Sequence, residues 1–351
     1  MMRDKAWLET LYPGYFAQVM ATGIVSVAAH DFGLFLVSRL LWLLAAVFYP
    51  CLVVLYVLRA VRYRKGFGKD LTAAPTMFAF FTFVAGGDVL GTRSFLGGYP
   101  QAAQVLWIVS ALAWLALVYT TMSILFFRNE RPLAESVNGS WLILIVATQS
   151  LVILGTLIFS GTGRDGPFFG LTVLWAIGVV FYLVFISFII AGLGFSPVQP
   201  RHLTPPYWIN MGATAISTVA GVALLNAGAT VAVVRVVGPF IAGMTVLLWS
   251  WGTWWIPALV TMGIWRHFVR RHPLTYDPAL WGMVFPLGMY TVACFSLGSY
   301  FHLRWLVTFA GGFVWVALAA WLFTFGGLAL SLGAGRGKPA ALADADPGRP
   351  G

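Results

Sequence analysis

The sequence predicts an all-α polytopic membrane protein, and three observations support that prediction. Hydrophobic residues make up 60% of the 351-residue chain, whereas charged residues make up only 9%. The apolar residues run in long stretches, and the basic residues fall mostly in the short segments between them. Basic residues placed in this way indicate membrane topology and not nucleic-acid binding, in spite of a formal net charge of +10.

We predict ten membrane-spanning helices from these stretches, because about 20 apolar residues cross the hydrocarbon core of a bilayer. They cover residues 12–30, 36–58, 74–92, 102–127, 140–160, 168–194, 206–225, 237–265, 279–299 and 305–330. We assign residues 1–330 to one transmembrane domain and residues 331–351, rich in Gly, Ala and Pro, to a disordered cytoplasmic tail. A polar residue at every fourth position of the first span argues against a cleaved signal peptide.

The Lys and Arg residues predict that both termini are cytoplasmic. Sixteen of the 21 fall on the N-terminal side of the predicted membrane, and five fall on the other side: Arg39, Arg93, Arg164, Arg235 and Arg304. The inner residues include two basic clusters, at 59–69 and 266–272, which we interpret as topology anchors with anionic lipid as a further contact. We therefore expect a multi-pass protein of the plasma membrane, and the short loops favour a bacterial one.

The spans also repeat as five hairpins. The odd-numbered spans begin at intervals of 63, 65, 66 and 75 residues, near Tyr12, Pro75, Ser140, Pro206 and Trp281. The odd spans carry small and polar residues, whereas the even spans are more uniformly apolar. Parallel repeats of this kind predict pseudo-symmetry about the membrane normal, with odd helices around an axis and even helices facing lipid.

The ninth span contains a defect in its hydrogen bonding. Pro286 has no backbone N–H, so the carbonyl of Gly282 loses its partner and we predict a kink. Gly282 and Gly288 allow neighbouring helices to approach closely. Counted from a predicted N-cap at Asp277, Phe285 lies near the middle of the bilayer, where its ring would plug a pore. Packing of this ring in the helix core is the alternative.

Polar residues in the odd spans are candidate pore-lining groups, because hydroxyl and amide donors replace part of an anion's hydration shell. The candidates are Gln18, Thr22, Ser26, Gln149, Asn210, Thr214, Thr218 and Thr291. A spacing of four residues places the first three on one helix face, and likewise the three between 210 and 218. Hydrogen bonds between helices have the same spacing, so the sequence leaves both roles open.

Asp88 is the carboxylate that falls clearly inside a predicted span, which makes it a candidate for proton coupling. The alternative is a polar cap at the outer end of its helix, with Arg93 or Thr92 as the partner. The five histidines lie at or beyond span ends with no spacing typical of a metal site, and no cofactor is expected.

Two other functional classes fit the sequence less well. A membrane-embedded enzyme acting on lipid-linked substrates would need acidic or histidine residues clustered near one membrane face. A receptor or scaffold would need larger segments outside the membrane. Neither class accounts for the hairpin repeat, so we expect a protein that is not an enzyme.

Five segments together resemble the tellurite-resistance/dicarboxylate transporter family, which includes bacterial TehA, fungal malate and sulfite permeases, and plant slow-type guard-cell anion channels. They are residues 12–26, 141–148, 206–209, 249–257 and 285–291. The resemblance implies ten helices as five hairpins in quasi-five-fold arrangement around a central pore that a phenylalanine occludes. Phe285, followed by Pro286, matches that gate. A proline that relatives often carry after the Trp141-Leu142 pair is absent, which leaves the kink of that helix open.

The resemblance also implies a function and an assembly. The expected substrates are small anions: C4-dicarboxylates such as malate, sulfite, tellurite, halide or nitrate. A gated channel and a proton-coupled dicarboxylate carrier both remain open. The expected partners are these anions, the lipid bilayer and two further copies of the chain in a homotrimer, with no nucleic acid.

Overall fold

A computed structural model describes residues 5–128, 130, 132, 136–195, 199, 200, 203–227, 231–273 and 275–333, and these contain helices and no β-strand. The helices are α1 Lys5–Glu9, α2 Ala17–Asp31, α3 Phe35–Arg62, α4 Arg64–Thr72, α5 Thr82–Leu96, α6 Pro100–Phe127, α7 Ile143–Phe159, α8 Asp165–Phe195, α9 Ile209–Ala227, α10 Ala232–Ile264, α11 Trp281–Tyr300 and α12 Arg304–Gly333. The predicted disordered tail lies outside the described residues from position 334 onward.

Five helices form the buried interior, and we call them the inner helices: α2, α5, α7, α9 and α11. Each contacts the next in this order, and α11 contacts α2, so the series of contacts closes into a ring. The outer helices α3, α6, α8, α10 and α12 each pack on the inner helix that precedes them in the chain. Large apolar side chains on the outer helices are exposed, as expected of surfaces that face lipid.

Among the described residues, eight helices are long and apolar enough to cross a membrane, or nine if the pair 64–72 and 77–96, bent by 101°, counts as one span. The chain is therefore an integral, multi-pass helical membrane protein. Helix α2 has only 15 residues, which reach about 22 Å at 1.5 Å per residue, less than the roughly 30 Å of a hydrocarbon core. The predicted span at 12–30, and with it the total of ten spans, therefore stays a prediction.

Tight turns introduce most of the inner helices. A 3₁₀ turn precedes α5, α7, α9 and α11, at Met77–Phe81, Gly139–Leu142, Pro205–Trp208 and Pro278–Leu280. The side chain of Asp277 accepts a hydrogen bond from the backbone N of Ala279 at 2.7 Å, which confirms the predicted cap. Asn138 caps the turn before α7 in the same way, through the backbone N of Ser140 at 2.8 Å.

Arg59 fastens the N-terminal end of the structure. Its guanidinium is 2% exposed and donates two hydrogen bonds to the carbonyl oxygen of Glu9, at 3.1 and 2.9 Å. It also pairs with the carboxylate of Asp70 in α4. The predicted topology anchor at 59–69 thus includes one buried residue, which joins α1 and α4 to α3, and its role in topology stays a prediction.

Candidate functional site

A small cavity lies where all five inner helices begin. Its lining consists of Tyr12, Gly14, Ala17, Met20, Thr82, Ile143, Pro206, Ile209, Pro278, Ala279 and Gly282. Thr82, Ile143 and Ile209 are each the first residue of their helix. The cavity offers ≈ 10 Å³ to the centre of a water molecule, which is about the room that a single water needs. The inner helices thus start around one narrow opening.

The lining has no Lys or Arg, and the N-termini of the five inner helices surround it. Each helix N-terminus carries roughly half a positive charge from the helix dipole and has N–H groups without intrahelical partners. The carboxyl group of Asp277, which caps the turn before α11, lies at the same end of the ring.

Phe285 is fully buried and lies one turn beyond Gly282, which lines the cavity. Cys294, nine residues on and so about 180° around the helix, faces the outer helix α10, where its Sγ accepts a hydrogen bond from Trp249 at 3.3 Å. Phe285 therefore lies on the side of α11 opposite its contact with α10.

The neighbours of Phe285 on α11 touch the two adjacent inner helices. A methyl group on Gly212 of α9 would lie 2.9 Å from Cγ of Pro286. A methyl group on Gly288 would lie 2.9 Å from the Ile24 side chain of α2. Because α9 and α2 are the ring neighbours of α11, these contacts place Phe285 between them. Pro286 itself lies inside one continuous helix.

The polar stripe on α2 faces the outer helices. The indole Nε1–H of Trp321 in α12 donates to the Thr22 hydroxyl at 3.0 Å. Ser26 and Ser38 of α3 exchange hydrogen bonds of 2.6 Å with each other's backbone carbonyl. Gln18 is buried one turn before Thr22 on the same face. Two of the three candidates therefore make the interhelical contacts that the sequence left open as their alternative role.

The remaining polar candidates have similar surroundings. Asn210 accepts a hydrogen bond from the Tyr182 hydroxyl of α8 at 2.9 Å, and the Gln149 amide donates to the Trp175 carbonyl of α8 at 3.1 Å. Thr214 lies against Gly252 of α10. The hydroxyls of Thr218 and Thr291 donate to carbonyls of their own helices. All five side chains are buried.

We expect Thr22→Val to lower the stability of the protein and to leave its anion preference unchanged. The substitution removes the acceptor of the Trp321 hydrogen bond, and such bonds between membrane helices contribute about 0.6 kcal/mol on average and at most about 1.7. Thermal unfolding of the purified protein measures the loss. In a Trp321→Phe background the same substitution should cost little. A changed selectivity among anions with unchanged stability would instead place Thr22 in the pore.

Asp88 occupies the middle of α5, and its side chain is fully buried. The Ser150 hydroxyl of α7 donates to Oδ2 at 2.8 Å, and Oδ1 has no hydrogen-bond partner among the described residues. The alternative of a cap paired with Arg93 is wrong, because α5 continues to Leu96. The Nε–H of Arg93 instead contacts the hydroxyls of Ser26 and Ser38, at 3.1 and 2.9 Å.

Sequence reasoning missed the apolar residues that line the cavity, notably Met20, Ile143 and Ile209. The candidates were chosen because they are polar, and they lie on other faces of the same helices. The available signal was position, since the cavity residues lie in the first half of the odd spans, several of them beside a Pro or Trp, as Ile209 follows Trp208.

Comparisons with known proteins agree with this architecture. The sequence model of the SLAC1 family, described as voltage-dependent anion channel, matches residues 10–329. An uncharacterized membrane protein of Mycobacterium tuberculosis is 46% identical over 146 residues, which are 41% of this chain and 73% of that protein. An uncharacterized transporter of Methanocaldococcus jannaschii is 24% identical over 339 residues, covering 91% of this chain and 94% of that one.

A sulfite efflux pump of the fungus Arthroderma otae is 22% identical over 347 residues, which cover 91% of this chain and 90% of that protein. These matches confirm the family resemblance that the five sequence segments indicated, and they agree with the expectation that the protein is not an enzyme. Anion substrates and a lipid environment follow from the same matches. The chain belongs to the SLAC1 family of voltage-dependent anion channels, whose members are transporters or channels.

Proposed function

We propose that the protein is a channel for small anions, with a pore along the axis of the ring of inner helices. The observation that supports this most directly is the cavity at which the five inner helices begin. Five helix dipoles attract an anion to it, and the absence of Lys and Arg from the lining lets the anion leave. In this proposal α2 and α5 also span the membrane, so that ten helices form five hairpins in quasi-five-fold arrangement.

Phe285 is the proposed gate, and Pro286 gives α11 the freedom to move it. The ring closes a constriction whose neighbouring residues are apolar, and hydrophobic constrictions gate by excluding water. Because the Gly282 carbonyl lacks an N–H partner at Pro286, α11 can bend there without breaking a backbone hydrogen bond. Pore lining by the eight polar candidates stays a prediction. We propose that those bonded to outer helices support the pore wall from behind.

The orientation and assembly follow the same proposal. Both termini lie in the cytoplasm, and the cavity lies at the cytoplasmic mouth, near the basic residues of the inner segments. Residues 1–330 are the channel domain, in the plasma membrane of a bacterial cell. Three copies form a trimer in which each protomer has its own pore.

The relatives narrow the choice of substrate only in part. One relative is named as a sulfite efflux pump, so we propose sulfite, with halide, nitrate, tellurite and malate as further anions. The test is flux through reconstituted protein in proteoliposomes under a fixed voltage, with chloride, nitrate, sulfite and malate compared at two pH values. We expect flux of at least one of these anions without a proton gradient. Absence of flux for all four would contradict the channel.

The second candidate is a proton-coupled carrier of C4-dicarboxylates. The observation that favours it is Asp88, which is fully buried and pairs with no basic side chain in the described part of the chain. Flux of malate that requires a proton gradient, and that Asp88→Asn abolishes, would select the carrier over the channel.

A further inference from the structure

Each outer helix contacts not only its own hairpin partner but also the inner helix of the next hairpin. In all five places an aromatic side chain of the outer helix donates a hydrogen bond across this boundary, and we call such a contact a clasp. The clasps are Trp42 to Ser94 at 3.0 Å, Trp114 to Thr148 at 2.8 Å, Tyr182 to Asn210 at 2.9 Å, Trp249 to Cys294 at 3.3 Å and Trp321 to Thr22 at 3.0 Å.

The boundary between α3 and α5 has, besides its clasp from Trp42 to Ser94, a second aromatic donor on α3. The hydroxyl of Tyr49 in α3 is buried and has no hydrogen-bond partner among the described residues. A methyl group on Gly87 of α5 would lie 2.8 Å both from this hydroxyl and from the hydroxyl of Ser110 in α6. Next to Gly87 is Asp88, whose Oδ1 is likewise buried and unpartnered. Two buried polar atoms on neighbouring helices, the Tyr49 hydroxyl oxygen and Oδ1 of Asp88, thus both have no hydrogen-bond partner in the described part of the chain.

The oxygens around the Asp88 carboxyl group, including the Tyr49 hydroxyl, come from four helices. The Ser150 hydroxyl of α7 contacts Oδ2 of Asp88 at 2.8 Å, and Ser110 interacts with the same carboxyl group. Each serine hydroxyl has one proton to donate: Ser150 lies 2.8 Å from both Oδ2 of Asp88 and the Ala147 carbonyl, and Ser110 lies 3.3 Å from the Val84 carbonyl. The oxygen lone pairs of both hydroxyls are left for a cation.

The buried Asp88 carboxylate requires a positive charge beside it. A carboxylate withdrawn from water inside a membrane protein is very costly without a counter-charge. Within the described residues no basic side chain pairs with Asp88, and Arg93, the nearest on α5, contacts Ser26 and Ser38 instead. Four oxygen donors without nitrogen or sulfur suit a hard cation.

We propose that Tyr49, Asp88, Ser110 and Ser150 form a binding site for Na⁺, which a proton on Asp88 replaces when Na⁺ is scarce. The ion bridges the Tyr49 hydroxyl and the Asp88 carboxylate, at the boundary that the clasp from Trp42 to Ser94 also joins. It thereby fixes α3 of the first hairpin to α5 and α7. The site lies where three hairpins meet, and it does not depend on which anion the protein conducts.

The test measures the thermal unfolding temperature of the purified full-length protein in lipid nanodiscs, as NaCl replaces choline chloride at constant ionic strength. At pH 8 we expect the temperature to rise and to saturate with Na⁺, as for any ligand that binds only the folded state. At pH 5.5 the half-saturating Na⁺ concentration should increase, because protons compete for the carboxylate. Asp88→Asn should abolish the Na⁺ effect while keeping the shape of the side chain.

Two further variants separate binding from general stability. Tyr49→Phe removes one proposed ligand and should raise the half-saturating Na⁺ concentration by about tenfold, the lower end of what the loss of a supporting group at a metal site causes. Thr22→Val weakens a different clasp, so it should lower the unfolding temperature in choline and keep the full rise with Na⁺. The proposal would be overturned if the unfolding temperature of the unmodified protein did not change with Na⁺ concentration. An equal rise with Na⁺ in Asp88→Asn would also overturn it. Stability that follows pH alone would show that a proton is the only occupant.

Discussion

Phe285→Ala is expected to raise anion flux through the reconstituted protein by about tenfold or more, the factor that a barrier lower by about 1.4 kcal/mol gives. Phe285 is fully buried and lies one turn above the cavity lined by Gly282. The methyl group of alanine leaves the volume of the benzyl ring open at the proposed gate. The measurement is single-channel or macroscopic current for chloride and nitrate at fixed voltage.

Phe168→Ala is the matched control for this experiment. Phe168 is 1% exposed, and its truncation also removes a buried aromatic ring, at a cost of about 3–5 kcal/mol of stability. It lies on the outer helix α8, so we expect no gain in flux. Phe285→Leu, which fills part of the same volume, should give an intermediate flux. Equal flux in Phe285→Ala and the unmodified protein would remove Phe285 as the gate.

The helices of this protein were largely predictable, because each outer helix is a long apolar stretch whose limits follow from composition. The predicted span 36–58 corresponds to α3 at Phe35–Arg62, and the span 102–127 corresponds to α6 at Pro100–Phe127. The inner helices begin less predictably, since short 3₁₀ turns such as Met77–Phe81 precede them. Hydropathy does not distinguish such a turn from the helix it introduces.

The orientation of the polar stripes was not predictable. The spacing of Thr22 and Ser26 shows that they share a face, but it contains no information on which neighbour that face meets. The partner of Thr22 is Trp321, which lies 299 positions away in the sequence. A hydroxyl can accept a hydrogen bond from a neighbouring indole or donate one to a passing anion, so residue type alone does not decide between the two roles.

The second large effect is expected for Gly139→Ala, which should destabilise the protein by about 3 kcal/mol, the upper part of the usual range for overpacking. Gly139 begins the 3₁₀ turn before α7 and packs directly on the turn before α9. An added methyl group would lie 2.6 Å from the backbone N of Tyr207 and closer still to the carbonyl of Pro206. These are backbone atoms, so no side-chain rotation relieves the overlap, and the two turns must separate.

Separation of these turns also alters the cavity, because Pro206 lines it directly and Ile143 follows four residues after Gly139. We therefore expect the folded fraction of Gly139→Ala to show altered flux as well as a lower unfolding temperature. Gly170→Ala is the control: nothing lies within 4 Å of a methyl group there, in the interior of α8. Alanine at that helical position should be neutral or stabilising by up to about 1 kcal/mol. Equal unfolding temperatures for the two variants would mean that the turns before α7 and α9 move apart at little cost in free energy. The mouth of the proposed pore would then not be rigid.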